Sequence, residues 1–158
     1  MDGASEQPVV VLEDTRRGRR LPIPVGPFEA SAIILELEGI TPPRPLTHDL
    51  LAELFKEAGY SLDRIELFGS AGSDARARLQ YRRGFRRFGK EVRPSDALAL
   101  ALRLRAPIMA EAEMLAFRHT DRPDKGAFRV KNPGGMEGGD GRPRILDIEE
   151  WRAKALRA

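Results

Sequence analysis

Apolar positions along this chain recur with the two-residue period of strands and then with helical spacing, and glycine or proline marks most of the changes. Pro8-Val9-Val10-Val11-Leu12 is a short strand-type run, and Glu13 to Arg20 gathers charges around Gly18 as a hairpin connection does. Leu21-Pro22-Ile23-Pro24-Val25 returns as a second strand, its prolines suiting an edge or an end. Gly26-Pro27 opens a helix over Phe28 to about Glu38, with Ala30, Ile33, Ile34 and Leu37 on one stripe and Gly39 as its stop. Thr41-Pro42-Pro43-Arg44-Pro45 is a stiff connector, because proline restricts both itself and its predecessor. Thr47 is the expected cap of the next helix, whose predicted buried face is Leu50, Leu51, Leu54, Phe55 and Ala58, ending at Gly59.

Arg64-Ile65-Glu66-Leu67-Phe68 reads as a strand with one buried face, followed by a turn from Gly69 to Asp74. Ala75 to Arg83 alternates cleanly, with Ala77, Leu79 and Tyr81 on one side and Arg76, Arg78, Gln80 and Arg82 on the other. Gly84 turns the chain, and Phe85 to Val92 returns as the partner strand. Pro94 then stands at a helix start, with Ser95 or Asp96 expected to cap an alanine- and leucine-rich helix through Leu104. Ala106-Pro107-Ile108-Met109 reads as one more short strand, and Glu111 to Phe117 as a last helical turn or two. From His119 the periodicity fails. The expected division is a domain over 1–118, a Gly/Pro-rich flexible linker over 119–142 and a C-terminal segment over 143–158, with a short helix around Ile148 and Trp151.

Composition narrows the setting. No run approaches the roughly 20 apolar residues of a membrane helix, the first residues lack the order of a signal peptide, and cysteine is absent. Disulfides and thiolate metal sites are therefore excluded, and a cytoplasmic protein without membrane association is the expectation. The formal charge of +3 is modest. Locally it is not: from Arg76 to Arg93 stand seven Arg and one Lys against Glu91 alone, a footprint suited to a polyanion.

Three stretches carry a resemblance. They are Leu21-Pro22-Ile23-Pro24-Val25-Gly26-Pro27-Phe28-Glu29-Ala30-Ser31-Ala32-Ile33, Arg44-Pro45-Leu46-Thr47-His48-Asp49-Leu50, and Arg93-Pro94-Ser95-Asp96-Ala97-Leu98-Ala99-Leu100-Ala101. Together, and in this order, they resemble the bifunctional nuclease domain family over about Pro8 to Phe117. The resemblance implies an α+β fold with a mixed sheet and about three main helices, and a homo-oligomer, with a dimer as the expected form. It also implies nuclease activity on RNA and DNA.

Hydrolysis of a phosphodiester needs charge neutralised on the phosphate, an activated water and a protonated leaving oxygen. Glu29, Asp49 and Asp96 each stand near a predicted helix start, so three termini could converge on one site holding Mg²⁺ or Mn²⁺, with no organic cofactor expected. Alternatively, each acid simply complements a helix dipole. His48, within the second motif, is the candidate general acid/base or metal ligand; otherwise it bonds the preceding loop. Arg44 and Arg93 would clamp phosphate or pair with Asp49 and Asp96, and Arg76, Arg78 and Arg82 would track a nucleic-acid backbone or form a solvated face. His119 is read as a surface residue. The sequence thus supports a low-specificity nuclease acting on nucleic acid; the alternative is a non-catalytic nucleic-acid-binding or regulatory module on the same fold.

Overall fold

In the computed structural model, which describes residues 8–14, 19–70, 74–115, 128–132 and 144–146, the hairpin β1 (Val9–Asp14) and β2 (Arg19–Pro24) leads into α1 (Pro27–Leu37) and α2 (Thr47–Glu57). A meander of β3 (Ser61–Gly69), β4 (Ala75–Arg83) and β5 (Arg86–Val92) runs into α3 (Pro94–Leu104). Then come β6 (Ile108–Ala110), a 3-10 turn over Ala112–Leu115, β7 (Phe128–Asn132) and β8 (Arg144–Leu146). The fold is α+β, and its strands divide between two mixed sheets, β2-β1-β7 and β5-β4-β3-β6-β8. β1 runs antiparallel to β2 and parallel to β7; β3 runs antiparallel to β4 and parallel to β6.

The sequence of α3 explains its place at the centre. Ala97, Leu98, Ala99, Leu100, Ala101 and Leu102 are all buried, which is more than one full turn, so the helix is enclosed on every side. Its leucines and alanines join Ile65 and Leu67 of β3, Ala77 and Leu79 of β4, Leu21 and Ile23 of β2 and Ile33 of α1 in one core. The alternation of β4 sends its arginines to the opposite, outer side of the sheet. Where α3 ends no glycine stands; Arg105 adopts the left-handed conformation itself (φ 52°), and the Ala106 amide bonds the Ala101 carbonyl.

Two expectations need correction. Leu50, Leu51 and Leu54 of α2 are about half exposed, and only Ala52 of that helix is fully buried. Periodicity placed the leucines inward, whereas the helix has turned its polar first turn and its small residue toward α3. Secondly, α2 starts from Leu46 and α3 from Arg93, with neither Thr47 nor Ser95 making a side-chain cap bond. β7 lies within residues 119–142 and β8 within 143–158, each taking an edge that the earlier strands leave unpaired. The helix expected around Ile148 and Trp151, like His119, falls outside the described residues. No described helix is long and apolar enough to cross a membrane.

Leu98, 2% exposed, sits at the heart of this arrangement. Leu98→Ala is expected to lower unfolding stability by about 2–5 kcal/mol, read as a reduced urea midpoint at an unchanged slope. A loss well below 1 kcal/mol would show that α3 is not the central packing element.

Candidate active site

Three helix starts meet beside α3, and the chain reaches each by a different route. Glu29 lies in the first turn of α1, after Gly26 and Pro27 have ended β2. His48 and Asp49 open α2 after the proline-rich connector, and Arg93 and Asp96 lie where β5 passes into α3. α2 packs against α3, and two of its adjacent side chains reach separate points on it: His48 toward Asp96, Asp49 toward Arg103. Those two positions on α3 are seven residues apart, about 10 Å along the axis.

The upper half of this crossing is a chain of polar contacts. His48 Nε2 lies 3.2 Å from Asp96 Oδ1. Arg93 donates through Nε to Asp96 Oδ2 at 2.8 Å and through a terminal nitrogen to Oδ1 at 3.1 Å, a two-pronged grip. Its other terminal nitrogen stands 3.2 Å from Glu29 Oε1. Burial pushes the Asp96 carboxyl up, but the bonds and charges of Arg93 and His48 outweigh it and hold the group below the ordinary carboxylate range. The hydrogen bond and charge of Asp96, with a smaller contribution from Glu29, push the Arg93 guanidinium up. No other hydrogen bond to a described residue engages the His48 ring.

The lower half is structural. Arg103, with a side chain only 5% exposed, donates to Asp49 of α2, to the Ala32 carbonyl of α1 at 3.1 Å and to the Ala99 carbonyl of its own helix at 3.1 Å. Asp49 also accepts from the Leu46 amide at 2.8 Å, closing the start of α2. Burial raises the Asp49 carboxyl, but the Arg103 and Leu46 bonds and the Arg103 charge more than offset this and hold it low.

The sequence candidates therefore separate. Glu29, His48, Arg93 and Asp96 come together; Asp49 is committed to Arg103; Arg44 is exposed in the connector and has no ion pair among the described residues. Arg76, Arg78 and Arg82 lie on the outer sheet face, with Arg76 paired to Glu91 at 2.7 Å, Arg82 to Asp63 at 3.0 Å, and both Arg76 and Arg78 5.1 Å from the centre of the Phe68 ring. The expected trio of metal carboxylates does not fit a shared ion: Arg103 takes Asp49, and the Arg93 cation already lies between Glu29 and Asp96. No group of three or more His, Asp and Glu among the described residues is placed to hold a metal.

Sequence reasoning missed two participants. Arg103 was not among the sequence candidates, because a charge near a helix C-terminus carries no signal of its own, and only its burial reveals the clip. Gly26 lies under the Glu29 carboxylate, where the Cβ of any other residue would collide with it. That close approach is what the glycine permits. Phe28, next to Glu29 in the first turn of α1, is 88% exposed.

The bifunctional nuclease domain matches residues 10–122, a span that includes every member of the cluster. Two uncharacterized proteins from two strains of Mycobacterium tuberculosis are each 41% identical to this chain over 110 residues. The matched region is 70% of this chain and 65% of the length of those relatives.

Because the folded Asp49 carboxyl is lowered, the stability it contributes is present above the ordinary aspartate pKa of about 3.9 and is lost as pH falls through its lower folded value. Asp49→Asn is expected to lose about 1–3 kcal/mol at pH 7, and to lose less stability than the parent on acidification below about pH 4. Thermal unfolding across pH checks both; equal midpoints at pH 7 would deny the clip its role.

Proposed function

The chain belongs to the bifunctional nuclease domain family, and we propose that it hydrolyses RNA or DNA phosphodiester bonds, with little sequence preference, at the Glu29, His48, Arg93 and Asp96 cluster. The contact between His48 and Asp96 at 3.2 Å carries the reading. A carboxylate on one ring nitrogen fixes the orientation of an imidazole and balances its charge when it gains a proton, leaving the other nitrogen to face a reactant.

In this scheme His48 takes the proton of the attacking water and returns it to the leaving oxygen. Asp96 holds the ring and offsets the imidazolium charge. Arg93, the most exposed member with a side chain 68% accessible, turns its guanidinium to the phosphate oxygens, and Glu29 keeps it poised. Phe28 offers a stacking surface for a base beside the scissile bond. Arg44, and the outer-face Arg76, Arg78 and Arg82, contact backbone phosphates and so carry no sequence information. Mg²⁺ or Mn²⁺ could join Glu29 and Asp96 only where Arg93 swings away, and the proton transfers do not require it.

A second reading is a non-catalytic nucleic-acid-binding or regulatory module. Its support is that Glu29 and Asp96 are both already paired with Arg93, which is also what a purely structural corner would show.

Cleavage of labelled RNA and single-stranded DNA by highly purified protein, with Mg²⁺, with Mn²⁺ and with EDTA, distinguishes the two. His48→Ala is expected to lower the rate by about 10²–10⁴-fold with the fold intact. Asp96→Asn should follow it, and Gly26→Ala should slow cleavage by displacing Glu29 while leaving the unfolding midpoint nearly unchanged. Activity equal to the parent in folded His48→Ala and Asp96→Asn would remove this site; binding without any cleavage would establish the second reading.

Self-association belongs to the same proposal. Leu46, Leu50, Leu51 and Leu54, with Ile40 nearby in sequence, leave an apolar surface on α2 that a second copy would cover. Sedimentation should find a dimer that Leu50→Glu with Leu54→Glu converts to monomer without loss of helicity. A parent that is monomeric at tens of micromolar would exclude it.

A further inference from the structure

The turn joining β4 to β5 carries a side chain that nothing inside the molecule explains. Arg83 pairs with Arg86, so Gly84 and Phe85 form a two-residue turn. Gly84 has φ 57° and Phe85 does not share the positive sign, the pattern of a type II′ turn, which matches the twist of the strands. The turn itself asks for glycine at its first position and a small or polar residue at its second. Phe85 nonetheless stands at the second, at 106% relative exposure, and touches no part of the core.

Its neighbours are four arginines. Arg82 and Arg87 face each other across the strand pair on the outer side; Arg83 and Arg86 do so on the other. Arg82 is held by Asp63 at 3.0 Å, and Arg83 lies over the Tyr60 ring at 5.5 Å. Arg86 and Arg87 are exposed and have no ion pair among the described residues. From Arg82 the cationic row continues along the outer face through Arg78 to Arg76, and Gly89, directly opposite Gln80, leaves room over which the Gln80 and Arg78 side chains lie.

We propose that Phe85 and the arginines around it form a single-strand-binding site remote from the candidate centre, with Phe85 stacking on an unpaired base and Arg86 and Arg87 engaging the flanking phosphates. The proposal rests on the nucleic-acid reading above and deepens it. Eight steps of nearly extended chain separate Phe85 from Arg93, about 26 Å, so one strand can occupy both the tip and the cluster only if it runs along the hairpin between them. A single aromatic ring amid cations suits alternating base and phosphate. A lipid surface would ask for a broader apolar face.

Fluorescence anisotropy of a 20-nucleotide labelled oligothymidylate with the full chain tests it, beside sedimentation with phosphatidylserine vesicles and cleavage of a labelled RNA. Phe85→Ala should weaken oligonucleotide binding about tenfold, the scale of one lost stacked base, and Phe85→Trp should restore it. Arg86→Ser with Arg87→Ser should lower the slope of log affinity against log salt by about 1.4. Unchanged affinity and salt slope in these variants would overturn the proposal, as would vesicle binding that depends on Phe85 while oligonucleotide binding does not. If no protein cleaves but the Phe85 variants still differ in binding, the tip stands and the catalytic reading falls. If His48→Ala abolishes cleavage while Phe85→Ala binds as the parent does, the reverse holds.

Discussion

Arg103 is the interaction on which the geometry of the site depends. A guanidinium taken almost wholly out of water must have its donors satisfied, and here they are shared among all three helices. Its bond to Asp49 helps hold α2 in the rotation that turns the neighbouring His48 toward Asp96. The facing of α2 is therefore set by this polar contact together with Ala52 and the Phe55 ring, not by its leucines. Ala52, being small, lets the two helices approach closely enough for both reaches to succeed.

The same crossing divides two aspartates of similar sequence setting into different tasks. Asp49 and Asp96 both stand in the first turn of a helix, both are partly shielded, and both are held below the ordinary carboxylate range by an arginine. The arginines differ. Arg103 is buried and shared among three helices, so Asp49 is locked; Arg93 is exposed on a long stem and divided between Asp96 and Glu29. An ion pair at the surface is weak and exchangeable, whereas a buried one is costly to break. The difference in burial separates a structural carboxylate from one that can respond to a ligand.

β5 links this corner to the outer face of the sheet. One end delivers Arg93 to the cluster, and the other ends at the hairpin tip with Phe85 and its arginines. Between them the strand keeps Phe88 on the inner side, stacked on Tyr81 at 5.3 Å, which anchors the hairpin against α2 through Phe55. A stiff strand of this kind holds two polar regions at a fixed separation, which flexible loops could not do.

Much of this was legible in the residues themselves. The alternation of Ala75 to Arg83 determined both the extent of β4 and which side its arginines occupy, because strand geometry leaves no other choice. The proline and glycine punctuation located the starts of α1 and α3, and with them Glu29, Arg93 and Asp96. The facing of α2 was not legible, since a helix with leucines on one side and Ala52, His48 and Asp49 on another has two plausible inward faces. Nor were the strands β7 and β8, which form only because distant sheet edges offer them partners. Periodicity reports what a segment prefers alone. Rotation, pairing and the separation of Asp49 from Asp96 come from contacts between residues far apart in the chain, and only the tertiary structure could decide them.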